Sequence, residues 1–279
     1  MGVARTRVHG GVTVSAGATS GGQGRAAGTL CQVCNSVIHQ TVIFVDPRKP
    51  LPDKEKTTVR GDSGQNAGVQ ADRQNPIPIV LLAAGSGSRF GGASHKLTTV
   101  VAGRPVAAWA IEAALEAHVG PLVIVTGAIA LTVPVDVSAA ARASMDAFGP
   151  PRIVDNPSWA DGMATSIQAG LAACDGATAV VIGLADQPCV TPEAYRAVAR
   201  STSPIAIATY DGVRGNPVRL HAEMWPKLPH TGDEGARVLF RSHADYVQEV
   251  PCSGSAIDVD TQADVSTVET CLAARKRKP

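Results

Sequence analysis

The stretch Ile77-Pro78-Ile79-Val80-Leu81-Leu82-Ala83-Ala84-Gly85-Ser86-Gly87-Ser88-Arg89-Phe90, continuing to His95-Lys96-Leu97, decides how the chain is read. Ile79 to Leu82 is a short apolar run with β-branched residues and predicts a buried strand. Ala83, Ala84, Gly85 and Gly87 then remove side-chain bulk, so backbone N–H groups are open to a ligand. Ser88, Arg89 and Lys96 follow in the same loop. Converging donors and positive charge suit a polyphosphate. The plain alternative is a tight strand-to-helix turn with two exposed cations. Two familiar phosphate loops do not match. His95 precedes Lys96 and Leu97 follows it, unlike G-x-x-x-x-G-K-[ST]. Phe90 stands where G-x-G-x-x-G needs its third glycine.

Downstream, strand and helix signals alternate. Helices are predicted over Pro105–His118, Ser138–Phe148, Thr165–Ala173, Asp233–Arg241 and Gln262–Ala274. Another starts at Thr191-Pro192-Glu193, with Thr191 as N-cap and proline at the first helical position. Strands are predicted over Leu122–Thr126, Ile153–Val154, Ala177–Leu184, Ile205–Ala208 and Tyr246–Val250. Repeated βα units imply an α/β fold with a mostly parallel central sheet covered on both faces. Ligands in such sheets sit beyond the carboxyl ends of the strands, where the opening loop leaves the first one.

Two acidic segments fall at the same edge. Ala185-Asp186-Gln187-Pro188 follows the strand Ala177–Leu184, which places Asp186 as a magnesium ligand or, more blandly, a turn residue. Ile257-Asp258-Val259-Asp260-Thr261 runs into the last helix. Of Asp258 and Asp260, one is free to ligate metal while the other caps or pairs. Magnesium takes one or two carboxylates plus phosphate oxygens and water, which Asp186 and Asp260 match. An acceptor phosphate attacking an α-phosphate is already anionic. The absence of a convincing nucleophile–base pair agrees with catalysis by positioning and charge neutralisation, carried by Arg89 and Lys96.

The whole chain sets the bounds. Its 279 residues suffice for one large or two small domains. A net charge of +1 gives no global field for nucleic acid or membrane, and no apolar run approaches the ~18 residues of a membrane span. Scattered Cys174, Cys189, Cys252 and Cys271 suggest buried thiols in a reducing cytoplasm. Cys31 and Cys34 form C-x-x-C, with His39 as the one nearby additional ligand. Residues 1–75, with nine Lys and Arg against five Asp and Glu, read as a disordered extension carrying one short apolar stretch, Val37–Val45. Residues 76–279 read as the folded domain. No methionine lies between Met1 and Met145, so a start at a non-methionine codon near residue 70 is an alternative that an intact mass would test.

Read together, the motifs carry a resemblance. Leu82-Ala83-Ala84-Gly85-Ser86-Gly87-Ser88-Arg89-Phe90-Gly91, with Lys96, resembles the signature loop of MobA-like nucleotidyltransferases. Asn156-Pro157-Ser158-Trp159-Ala160-Asp161-Gly162-Met163 with Ser166 resembles a segment of molybdenum cofactor cytidylyltransferases. So do Asp186-Gln187-Pro188, Arg214-Gly215-Asn216-Pro217, Gly232-Asp233-Glu234-Gly235-Ala236-Arg237 and Asp258-Val259-Asp260-Thr261. The resemblance spans about residues 78–270. It implies a three-layer Rossmann-like fold and transfer of CMP from CTP to a molybdopterin-type cofactor, releasing pyrophosphate. It further implies triphosphate binding by Gly85 to Lys96, Mg2+ on Asp186 and Asp260, nucleotide contact around Asn156, Gly162 and Ser166, and a phosphorylated pterin near Asn216 and Arg237. A molybdoenzyme or its chaperone would be the client. Gly87 and Asn216 depart from the cytidylyltransferase pattern, where Ser and His are usual. Ala83-Ala84 leans towards CTP. A GTP-using, sugar or phospholactate nucleotidyltransferase, or a non-catalytic cofactor carrier, are the alternatives.

Overall fold

The computed structural model describes residues 7–8, 12–13, 76–91 and 94–276. The stretch Val37–Val45 and the group Cys31, Cys34 and His39 lie outside the described residues. In a separate N-terminal unit, β1 (Arg7–Val8) and β2 (Val12–Thr13) pair antiparallel.

In the main unit, the apolar run at the start of the signature stretch forms β3 (Ile79–Ala83), every residue of which is buried. It is the third strand from one edge of a seven-stranded sheet. On one side it pairs parallel with β6 (Leu122–Thr126), which pairs with the edge strand β7 (Arg152–Asp155). On the other it pairs parallel with β8 (Ala179–Leu184). Next come β10 (Val213–His221), β9 (Ile205–Tyr210) and the far edge β11 (Val247–Pro251). Only β10 runs antiparallel to its neighbours, so the sheet is mostly parallel, as expected. A short antiparallel pair, β4 (Val100–Val101) with β5 (Arg104–Pro105), stands outside it.

Alternation along the strands divides the core between the two faces. Ile79, Leu81, Leu122, Ile124 and Val181 face α1 (Val106–Glu116), α2 (Ala139–Phe148) and α4 (Pro192–Ala199). Val80, Leu82, Val123, Val125 and Ile182 face α3 (Met163–Ala172) and α5 (Arg237–Ser242). This is a three-layer α/β arrangement. Each fully buried Ile, Leu or Val side chain contributes roughly 1.5–3 kcal/mol relative to exposure. A third cluster packs Phe90, Val101, Trp109, Cys189 and Val259 against α6 (Asp264–Lys276) through Val268 and Leu272.

Helix starts follow the sequence signals. The Ser138 hydroxyl accepts from the Ala141 N–H at 3.2 Å, and Thr191 accepts from Ala194 at 3.3 Å with Pro192 leading the helix. The expected helix Asp233–Arg241 is shorter at its start and begins at Arg237. Gly235 adopts φ +52, a left-handed conformation that interrupts helix. Val213–His221 was not expected as a strand. Gly215 and Pro217 break its pattern, and a register shift lies between Gly215 and Val218.

Candidate active site

Backbone hydrogen bonds assemble one site from three distant segments. Leu82 pairs with Leu184 in parallel register, so the loops leaving β3 and β8 emerge side by side. The Ala185 N–H donates to the Leu82 carbonyl at 2.9 Å, and the Val259 N–H donates to the Asp186 carbonyl at 2.9 Å. These contacts bring the glycine loop, the Asp186 loop and the Asp258–Asp260 segment to one sheet edge.

Lys96 is the centre of the arrangement. Its ammonium donates to Asp186 Oδ2 at 2.6 Å and to Asp260 Oδ1 at 2.9 Å. Burial alone would lower its pKa. The Asp186 charge and the hydrogen bonds to both aspartates outweigh that and hold it above its ordinary value. Arg89 reaches Asp260 Oδ2 at 3.3 Å, but its side chain is 83% exposed, so that pair adds little to stability. His95 steadies the loop. Its Nδ1 accepts from the Leu97 N–H at 3.2 Å, which leaves Nε2 to donate to the Gly85 carbonyl at 3.0 Å.

The Asp258–Asp260 segment carries no assigned strand or helix, Val259 between the two aspartates is buried, and both Asp258 and Asp260 line the cavity, as residues two apart do when they share a face. Asp258 therefore joins the site beside Asp260. It accepts from Gln187 Nε2 at 2.7 Å. Burial, then the neighbouring Asp186 charge, raises its pKa. The helix-start role falls to Asp264, whose Oδ2 accepts from the N–H groups of Asp260 and Thr261.

A cavity of about 550 Å³ lies over these groups, lined by Ala83, Ala84, Gly85, Gly87, Ser88, Arg89 and Lys96 on one side. Gly162, Ser166, Arg237, Asp186 and Asp260, also expected at the site, line the rest, whereas the expected Asn156 and Asn216 do not line this cavity. Met163, Asp233 and Asp258, from segments the sequence already placed near the ligands, and Trp159, which it did not, also line it. Trp159 stood inside a quoted motif, which was the available signal. Asn156 takes another place. It is buried, and its amide donates to Thr165 Oγ1 at 2.9 Å and Ser166 Oγ at 3.0 Å. It positions Ser166 rather than facing the cavity.

A second cavity of about 260 Å³ shares Leu82, Met163, Leu184 and Arg237 with the first. Ile167, Ile182, Ile207 and Phe240 make it apolar, and Asn216 sits on its wall. The Asn216 carbonyl accepts from the Tyr210 hydroxyl at 2.7 Å.

Asp186 and Asp260 fit a divalent cation. The Lys96 ammonium already bridges them, and the second Asp186 oxygen, Oδ1, is buried without a hydrogen-bond partner. Among the described residues no group of three or more His, Cys, Asp or Glu is arranged to hold a metal. Two carboxylates with phosphate oxygens and water are the pattern magnesium favours. Three cations (Arg89, Lys96 and Arg237) meet four carboxylates (Asp186, Asp233, Asp258 and Asp260) on the larger cavity's wall. A triphosphate there needs added positive charge.

This fold and site define a nucleotidyltransferase. The chain belongs to the family of the MobA-like NTP transferase domain, whose model matches residues 79–247. It is 35% identical over 201 residues to nicotine blue oxidoreductase of Paenarthrobacter nicotinovorans, covering 68% of this chain and 92% of that one. It is 54% identical over 39 residues to 2-C-methyl-D-erythritol 4-phosphate cytidylyltransferase of Prochlorococcus marinus, covering 14% and 17%. Among solved structures it is similar to Rv0371c of Mycobacterium tuberculosis, with TM-score 0.56 and 25% identity over 70% of this chain and 98% of that one. The same protein in complex with manganese aligns with TM-score 0.53 and 24% identity over 70% and 99%. No helix among the described residues is long and apolar enough to cross a membrane.

Proposed function

We propose that the chain transfers CMP from CTP to a molybdopterin-type molybdenum cofactor and releases pyrophosphate. The observation that carries this reading is the meeting of two cavities of unlike chemistry along one wall. The larger one has the glycine loop, Arg89 and Lys96 for a triphosphate. The smaller one is apolar and suits a planar heterocycle. Arg237 stands on the shared wall, where a guanidinium suits the acceptor's phosphate.

In this reading an acceptor phosphate oxygen attacks the α-phosphorus of CTP. The bond from that phosphorus to the bridging oxygen breaks, and pyrophosphate leaves with the electron pair. Lys96 and Arg89 hold the phosphate oxygens and offset the charge that develops. Asp186 and Asp260 would hold Mg2+, which when bound supplies positive charge to the phosphates. The Rv0371c complex with manganese lends support to a divalent ion. Ala83-Ala84 and the relative named a cytidylyltransferase favour CTP over GTP. The four described cysteines, Cys174, Cys189, Cys252 and Cys271, are free, which agrees with a cytoplasmic setting.

The test is pyrophosphate release with each of the four NTPs, with and without molybdopterin and Mg2+. CTP with pterin and metal should give the highest rate. Equal or faster release with GTP, or release with a sugar phosphate in place of pterin, would replace the reading with a sister activity. A relative bears an oxidoreductase name, so a control omits NTP and supplies reduced nicotinamide cofactor. Asp186→Ala should reduce transfer at least 100-fold. A variant that still activates an apo-molybdoenzyme fully would make the protein a carrier.

A further inference from the structure

We propose that Lys96 is a resident cation that excludes free metal from the site until a triphosphate draws its ammonium away, so that nucleotide and divalent ion bind as a pair. The inference rests on the nucleotidyltransferase reading and concerns how that site is loaded.

The geometry carries it. Lys96 Nζ lies 2.6 Å from Asp186 Oδ2 and 2.9 Å from Asp260 Oδ1. These are the two carboxylates that fit the ion. The other Asp260 oxygen is taken by Arg89 at 3.3 Å, so Asp260 has no oxygen without a cationic partner. The Lys96 and Asp186 side chains are only 13% and 18% exposed, so their attraction is weakly screened. A divalent ion approaching these oxygens meets an ammonium within the same few ångströms. Both cannot sit there without strong repulsion.

Lysine is suited to yield. It is a compact charge on a flexible stem, and it shares a cavity wall with Gly85, Ser88 and Arg89 of the same loop. A triphosphate seated on that loop offers the ammonium new anionic partners. Once it turns to them, and the exposed Arg89 with it, Asp186 and Asp260 are left as uncompensated carboxylates beside Asp258, and their mutual repulsion favours a divalent ion. Free metal must break two short ion pairs, whereas metal arriving with nucleotide finds the carboxylates released. The coupling is reciprocal, so each ligand tightens the other.

The test titrates the full chain with Mn2+, following the free-ion signal by electron paramagnetic resonance, with and without non-hydrolysable α,β-methylene CTP, and subtracts the Mn2+ that the analogue binds in the absence of protein. Wild type should bind Mn2+ at least tenfold more tightly with the analogue than without it, a coupling of about 1.4 kcal/mol. Lys96→Met should bind Mn2+ alone at least tenfold more tightly than wild type and lose most of the analogue's effect. Lys96→Arg keeps the charge and should stay close to wild type without nucleotide. Melting curves establish that the variants fold, and the wild-type comparison decides the matter if Lys96→Met does not. Wild-type Mn2+ affinity that ignores the analogue, or a folded Lys96→Met no tighter than wild type, overturns the proposal and leaves the nucleotidyltransferase reading standing if metal and analogue bind. Failure of wild type to bind either ligand overturns both.

Discussion

Gly162→Ala is the substitution for which the structure gives the clearest magnitude. Gly162 has φ 106 and ψ 173, a region open essentially to glycine alone, where another residue costs about 1–3 kcal/mol. Its missing β-carbon would stand 2.4 Å from the Gly232 carbonyl carbon and 2.5 Å from its oxygen. Backbone cannot swing aside as a flexible side chain does, so the two segments must part. Two hydrogen bonds close this seam: Gly232 N–H to the Asp161 carbonyl at 2.8 Å, and Ala164 N–H to the Gly232 carbonyl at 2.9 Å. Losing both costs about 0.5–1.5 kcal/mol each. The total is roughly 2–6 kcal/mol. For a domain of this size it corresponds to a fall in Tm on the order of 5–20 °C. The seam also joins Gly162 and Met163 to Asp233 on the larger cavity's wall. At temperatures where the variant stays folded, nucleotide KM should therefore rise. Thermal unfolding followed by far-UV circular dichroism, with KM measured well below the transition, checks both. A variant melting within about 2 °C of wild type would refute the reasoning, because the seam would then accept a methyl group without parting.

Other substitutions separate site from scaffold. Gly85→Ala introduces a β-carbon with no atom within 4 Å, so stability should stay within about 0.5 kcal/mol while nucleotide KM rises several-fold; a drop in Tm with unchanged KM would reverse the assignment. Arg237→Ala should raise acceptor KM about tenfold and leave nucleotide KM nearly unchanged, and steady-state kinetics with each substrate varied decides it. Asp258 has a pKa raised above its ordinary value of 3.8 by burial and by Asp186. Its contribution to stability is therefore fully present below the unfolded pKa and lost as pH rises through the folded one. Asp258→Asn should match wild type in acid and become the more stable protein as pH rises, measured without metal between about pH 4 and pH 8. A Tm difference that stays flat or narrows with rising pH would count against that environment.

The elements legible in the sequence were those whose packing is uniform. Ile79–Leu82, Leu122–Thr126 and most of Ala177–Leu184 are continuous apolar runs because the strands are covered on both faces. Thr191 announced its helix start because capping is a local interaction. β10 was hidden for a different reason. Gly215, Pro217 and Arg219 disguise it, and Arg219 is buried because its guanidinium donates to the Ser203 carbonyl at 2.7 Å. That partner exists only once β9 and β10 have paired.

The site divides along the same line. The glycine loop and Asp186 could be placed because each leaves a recognisable strand. Asp258 and Asp260 could be read as a pair at this edge, but their neighbours could not, because the Val259 N–H bond to the Asp186 carbonyl that sets them against the Asp186 loop joins distant parts of the chain. The Lys96 bridge had no local signal. Its partners lie 90 and 164 residues further along the chain, and only the sheet order brings them together.

The central claim is that this cavity transfers a nucleotidyl group to an acceptor. CTP radiolabelled at its α-phosphate, incubated with Mg2+ and molybdopterin, tests it most directly. The account predicts that the label moves to the pterin product while an equal amount of unlabelled pyrophosphate appears, and that Lys96→Ala and Asp186→Ala both abolish the transfer. Label that remains on free cytidine nucleotides, with the acceptor unchanged or altered without any nucleotide, would contradict it.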